Sequence, residues 1–137
     1  MALEIKSVEY YNFTVGERAG EASKLLSVFA GAGISLLAFK AVPLGNQRVQ
    51  FSLFPNDSSK MTAAAKKAGL ALDGPHSALL IKDSDESGAL ADIYEKLAQA
   101  GFNIPESSGI ADINGGYGVV LYLEREDCEK ARKALEK

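Results

Sequence analysis

Residues able to carry covalent chemistry are scarce in this chain. It has one cysteine, Cys128, and one histidine, His76, so a nucleophile–base pair would require those two to meet. No group of Cys, His, Asp and Glu has metal-ligand spacing, and no glycine-rich loop ends in Gly-Lys-Ser/Thr. The reading is of a protein that is not an enzyme, with no cofactor. What recurs is a different pattern: an acidic residue, two spacers and a glycine. It occurs as Glu17-Arg18-Ala19-Gly20 and again, 68 residues on, as Asp85-Glu86-Ser87-Gly88. Each is followed by a second signature, Ala32-Gly33-Ile34-Ser35-Leu36 and Ala100-Gly101-Phe102-Asn103-Ile104. A duplicated unit this short leaves little room for a one-off catalytic constellation. It points to two copies of a small binding module.

The elements that position these residues also repeat. Tyr11, Phe13 and Val15 alternate over residues 8–15 and predict a strand. Ala22, Leu25, Leu26, Phe29 and Ala30 have one-faced helical spacing, with Gly33 as the stop. Residues 34–42 are largely apolar, as expected of a buried or interface strand, and turn residues 43–46 join them to a strand at 48–54. Asp57 offers a helix cap before Met61, Ala64 and Ala65. Residues 70–72 are expected as a short closing strand, and Asp73-Gly74-Pro75 as the linker between units 1–73 and 74–137. In the second copy, Leu79 and Ile81 answer to Tyr11 and Phe13. Leu90, Ile93, Tyr94, Leu97 and Ala98 answer to the first helix. A strand at 104–113, weakened by Pro105 and suited to a sheet edge, a turn at 114–116, a strand at 119–123 and a last helix follow. Cys128 falls near the start of that helix as a buried structural residue, and His76 is read as a surface residue.

The fold class is therefore α+β: two ferredoxin-like βαββαβ units with antiparallel sheets and helices on one face. The second unit lacks an obvious last strand. The surplus residues 3–7 are the candidate to fill that edge.

The ordered set of motifs, occurring twice, resembles the ACT domain family of small-molecule regulatory modules, in tandem, over nearly the whole chain. The resemblance implies allosteric amino-acid sensing. The ligand would sit where the chain enters the first helix, against the beginning of the second strand of a neighbouring domain. It carries the ligand-binding role to Asp85, Glu86, Ser87, Gly88, Ala89, Asn103 and Ile104 in the second copy. In the first copy the corresponding residues are Glu17, Arg18, Ala19, Gly20, Ser35 and Leu36. The chemistry suits an amino acid: a helix start attracts its carboxylate, an acidic side chain its ammonium. A plainer reading stands beside it, in which Asp85, Glu86 and Ser87 only stabilise the helix start and Asn103 only satisfies backbone groups. Both copies lack the proline that commonly precedes the glycine, having Ala19 and Ser87 instead.

Size and charge bound the alternatives. At 137 residues the two units are each marginal alone, so each leans on the other or on another chain, with homodimerisation expected to cover sheet edges. A net charge of -3 disfavours nucleic acid as a partner. An RNA-binding module of the same topology is the remote rival, since Gly115 and Val119 replace its basic and stacking residues. A ligand-free oligomerisation scaffold is the other. There is no leader-like or membrane-spanning run, which makes a cytoplasmic location the default. A regulated enzyme would act in trans.

Overall fold

Two long strands, rather than a linker, organise the chain. The computed structural model describes residues 3–84 and 88–136. Its elements are β1 (Glu4–Gly16), α1 (Glu21–Gly31), β2 (Leu36–Gly45), β3 (Arg48–Pro55), α2 (Ser58–Lys67), β4 (Asp73–Asp83), α3 (Ala89–Gln99), β5 (Ser107–Ala111), β6 (Tyr117–Tyr122) and α4 (Arg125–Leu135). The chain divides into two compact units: residues 9–76, here the first, and residues 1–8 with 77–137, the second. The sequence-based division after Asp73 differs chiefly in assigning the N-terminal strand to the first unit.

In the first unit the strands run in the order β2-β3-β1, with residues 73–76 of β4 beyond β1. β1–β3 and β2–β3 are antiparallel, with Tyr11 opposite Leu53 and Phe13 opposite Phe51. Alternation puts these four side chains on one face, where α1 and α2 cover them through Leu25, Phe29, Met61 and Ala65. Burying one such side chain fully stabilises by about 1.5–3 kcal/mol, so this shared layer selects the face both helices must take. Asp57 caps α2, accepting from the Lys60 amide at 3.1 Å.

The second unit repeats the plan. β4, β6 and β5 are consecutive neighbours, with Leu79 opposite Leu121 and Ile81 opposite Val119. These meet Ile93 and Leu97 of α3 and Cys128, Ala131 and Leu135 of α4. Residues 4–8 of β1 lie beyond β4, and Leu3 and Ile5 pack against this core. The surplus N-terminal residues thus do fill the edge the second unit lacked. β5 is the outer strand, as Pro105 and its polar neighbours predicted.

Three expectations need correction. Residues 70–72 form no strand; β4 starts at Asp73 and runs unbroken through the expected linker. Gly74 belongs there because its φ is +143°, and a Cβ would lie 2.9 Å from both the Tyr10 carbonyl oxygen and Tyr11 Cδ2. β2 is not buried throughout: Phe39 is 63% exposed and Leu37 is exposed beside it, because β2 is an edge whose alternate residues point away from the core. Leu90 and Ala98 are likewise exposed rather than packed.

Candidate functional site

The entry to α1 is built from backbone geometry before any side chain is considered. Gly20 is the N-cap of α1 with φ 91° and no side-chain cap; Gly88 does the same for α3 with φ 92°. Both are left-handed, the conformation glycine takes most cheaply. The repeat in sequence is therefore a repeat in conformation.

In the first unit this entry faces the tip of the β2–β3 hairpin. Gly16 pairs with Arg48, and the Glu17 amide donates to the Gln47 carbonyl at 2.8 Å. Asn46 and Gln47 make the hairpin turn with positive φ of 53° and 59°. Between loop and turn lies a polar hollow of about 570 Å³ lined by Gly16, Glu17, Arg18, Glu21, Asn46 and Gln47. Two carboxylates can take an ammonium, while the Arg18 guanidinium and the carboxamides can hold a carboxylate. Gly20 shapes the approach without lining the hollow, and Ala19 is exposed beside it. Glu21, Asn46 and Gln47 were missed from sequence. The signal was there, because the strand register that ends at Gly16 and Arg48 carries the hairpin tip to the loop.

Ser35 and Leu36 stand at the opposite end of this sheet. Leu36 pairs with Pro55, and the Ser35 amide donates to Asn56 Oδ1 at 3.2 Å while the Asn56 amide returns a 2.9 Å bond to the Ser35 carbonyl. Arg48 and Pro55 are seven positions apart on β3, roughly 23 Å of extended chain. One unit does not bring Glu17 and Ser35 together.

The second unit has the same polarity. Asp83 pairs with Tyr117 at the end that leads to Gly88, whereas Glu106 and Tyr122 meet at the other end, the Tyr122 amide donating to the Glu106 carbonyl. Asn103 is exposed and precedes Ile104, which is buried in the core, so Ile104 could offer a ligand only its backbone. Ala89 opens α3 and is half-buried. Asp85, Glu86 and Ser87 lie outside the described residues. Tyr94, a core residue by spacing, also bonds Ser107 through its hydroxyl.

A second polar group in the first unit went unforeseen. On the sheet face away from the helices, Ser52 Oγ donates to Asn12 Oδ1 at 2.5 Å, and Asn12 Nδ2 donates to Asp73 Oδ2 at 3.3 Å. Asp73 Oδ1 lies 2.9 Å from His76 Nε2, and the His76 ring sits 5.1 Å from that of Tyr10. His76 is thus a partly exposed surface residue, as read from sequence, but has neighbours that reading did not supply. Its partner was only three residues away, but pairing them required the extended chain of β4. This group contains no nucleophile–base contact, since Ser52 bonds an amide and not the imidazole. At Cys128 burial first, then Asp127 and Glu124, push the thiol pKa up, which disfavours the thiolate. Among the described residues no three His, Cys, Asp or Glu side chains gather to hold a metal, and no helix is long and apolar enough to cross a membrane.

No family model and no curated protein matches the sequence. Solved structures do match it. A protein from Bacteroides thetaiotaomicron is similar at TM-score 0.79 and 19% identity, covering 96% of this chain and 90% of that one. The regulatory subunit of aspartate kinase from Thermus thermophilus, in its ligand-free form, matches at 0.66 and 17%, covering 98% and 93%. A structure of aspartokinase α and β subunits matches at 0.67 and 18%, covering 99% and 95%. The fold is that of tandem ACT domains. Gly20 and Gly88 stand at the two helix entries, Ser35 directly before β2 and Asn103 four residues before β5. The expected ligand position lies between one unit's helix entry and the second-strand start of a neighbouring domain; within the first unit these two stand at opposite ends of the sheet.

Proposed function

We propose that the chain is a non-catalytic regulatory protein that binds an amino acid at the helix-entry loops of its ACT-like units. The observation that carries this reading is the polar hollow in which Glu17, Glu21, Arg18, Asn46 and Gln47 surround the entry to α1. Its opposed charges complement a zwitterion. Because Ser35 and Asn103 stand at the far ends of their own sheets, the strand-start half of each site comes from another ACT-like unit. A homodimer supplies one, joined along edges such as β2, where Leu37 and Phe39 are exposed. The likeness to regulatory subunits of aspartate kinase supports a partner enzyme controlled in trans.

A thermal-shift screen over the proteinogenic amino acids tests the reading. A ligand at a hundred times its Kd should stabilise by about 2.7 kcal/mol. Glu17→Ala, Asp85→Ala and Asn103→Ala should reduce that stabilisation. Unchanged stabilisation in all three overturns the site, and no stabilisation by any amino acid favours a ligand-free oligomerisation scaffold.

A further inference from the structure

The second unit has an apolar hollow on the sheet face that α3 and α4 leave open, at the end of the sheet that leads to Gly88. Ile81 and Val119 point into the helix-covered core, so alternation turns Lys82 and Gly118 to the other face. Gly118 pairs with Lys82 on one side and with Ile110 on the other. Its missing side chain leaves a floor of bare backbone between them. Neighbouring strands are about 4.8 Å apart, so the gap between the Lys82 and Ile110 chains is roughly 10 Å wide, enough for one flat or branched group. Leu80, Ile113 and Tyr117 add to a mostly apolar lining around a volume of about 510 Å³, within the ~300–1,000 Å³ of small-molecule sites; Asp112, the anion of the lining, accepts from the Asn114 amide at 3.3 Å. Ile110 is 77% exposed and Ile113 is 99% exposed, so a ligand seated here would remove both from water.

We infer that this hollow is a second ligand site, for a small carboxylate bearing an aromatic or branched apolar group. The apolar group lies on the Gly118 floor and the carboxylate pairs with Lys82, the cation of the lining. The site shares no residue with the helix-entry loops and does not depend on their function.

Gly118 also makes the test clean. A Cβ there would meet nothing nearer than the Ile110 carbonyl oxygen at 3.9 Å, and its φ lies outside the left-handed range. Gly118→Val therefore suits a strand, fills the hollow and leaves the fold intact; Gly118→Ala is the milder companion should valine lower expression. Amide chemical-shift titrations of the full chain with phenylalanine and with 3-phenylpropionate are the experiment, the pair separating amino acids from simple carboxylates. At least one probe should shift the Gly118 and Ile110 amides saturably. Gly118→Val should abolish those shifts, Lys82→Gln should weaken binding at least about tenfold, and Glu17→Ala should leave it unchanged. Absence of shifts at Gly118 and Ile110 with both probes overturns the site, as does binding that survives Gly118→Val. Equal affinity in Lys82→Gln overturns its assignment to carboxylates. Loss of the helix-entry response alone would count against the proposed function and leave this site standing.

Discussion

Replacing a glycine by alanine should cost very different amounts at Gly20 and Gly74, and the structure says why. At Gly20, φ is +91° and an added Cβ meets nothing within 4 Å. The cost is backbone strain alone, about 1–2 kcal/mol. It is partly offset by about 0.4–1 kcal/mol from the stiffer unfolded chain, leaving roughly 1 kcal/mol. At Gly74, φ is +143° and the new Cβ lies 2.9 Å from the Tyr10 carbonyl oxygen and 2.9 Å from Tyr11 Cδ2. Strain of about 1–3 kcal/mol is joined by overpacking of about 1–3 kcal/mol, because Tyr10 sits in β1 and its backbone cannot retreat cheaply. The sum is about 2–6 kcal/mol, and the same unfolded-chain offset leaves roughly 3 kcal/mol at its middle. For a protein of this length each kcal/mol lowers Tm by roughly 4 °C. Gly20→Ala should therefore lose about 4 °C and Gly74→Ala about 12 °C, a ratio that urea unfolding should reproduce. Equal losses for the two variants, within about 0.5 kcal/mol, would refute the argument that contact with β1 makes Gly74 obligatory.

Removing the α2 cap with Asp57→Ala should cost about 1 kcal/mol in urea unfolding, because the Lys60 amide loses its acceptor. Asn12→Ala should cost about 1–3 kcal/mol by stranding Ser52, which is 1% exposed; a double-mutant cycle with Ser52→Ala should show most of that loss shared. Cys128 has its thiol pKa raised in the fold, so its neutral form is favoured there and its contribution to stability is full below the unfolded thiol pKa of about 8.5. That contribution declines as pH rises above it, and the stability gap between wild type and Cys128→Ala should narrow from pH 7 to 10. Phe39→Glu on the exposed β2 edge should shift the protein toward monomer in light scattering after size-exclusion chromatography, and unchanged mass would remove β2 from the dimer contact.

Much of the fold was legible because its cores are periodic. Tyr11, Phe13, Phe51 and Leu53 alternate, Leu25 and Phe29 share a helix face, and Met61 and Ala65 in α2, like Ala131 and Leu135 in α4, stand one turn apart and are buried. Exposure on β2 was illegible, since apolar alternates on an edge strand read like those of a central one. Gly74 misled for a related reason: Asp-Gly-Pro is turn chemistry locally, and only the close passage of Tyr10 turns the glycine into a strand requirement. The helix-entry glycines were found because their conformation is local. Asn46 and Gln47 were not, because joining them to Glu17 needs the register of three strands. Gly118 carried no signal at all, since a hollow is made by what its neighbours on two other strands present.

The sharing of β1 between the two units has a temporal consequence. Residues 4–8 are made before the whole of the first unit, yet the core that receives Leu3 and Ile5 is assembled from residues beyond 77. The first unit can gather its layer of aromatic side chains as soon as β4 has begun. The second must wait for α4 and then capture a strand made before the first unit. Closing so long a loop costs entropy before any contact repays it. Joining a copy of residues 3–8 after the final helix, with the original stretch deleted, would turn that long-range closure into a local one. The permuted chain should fold its second unit faster than the natural order allows.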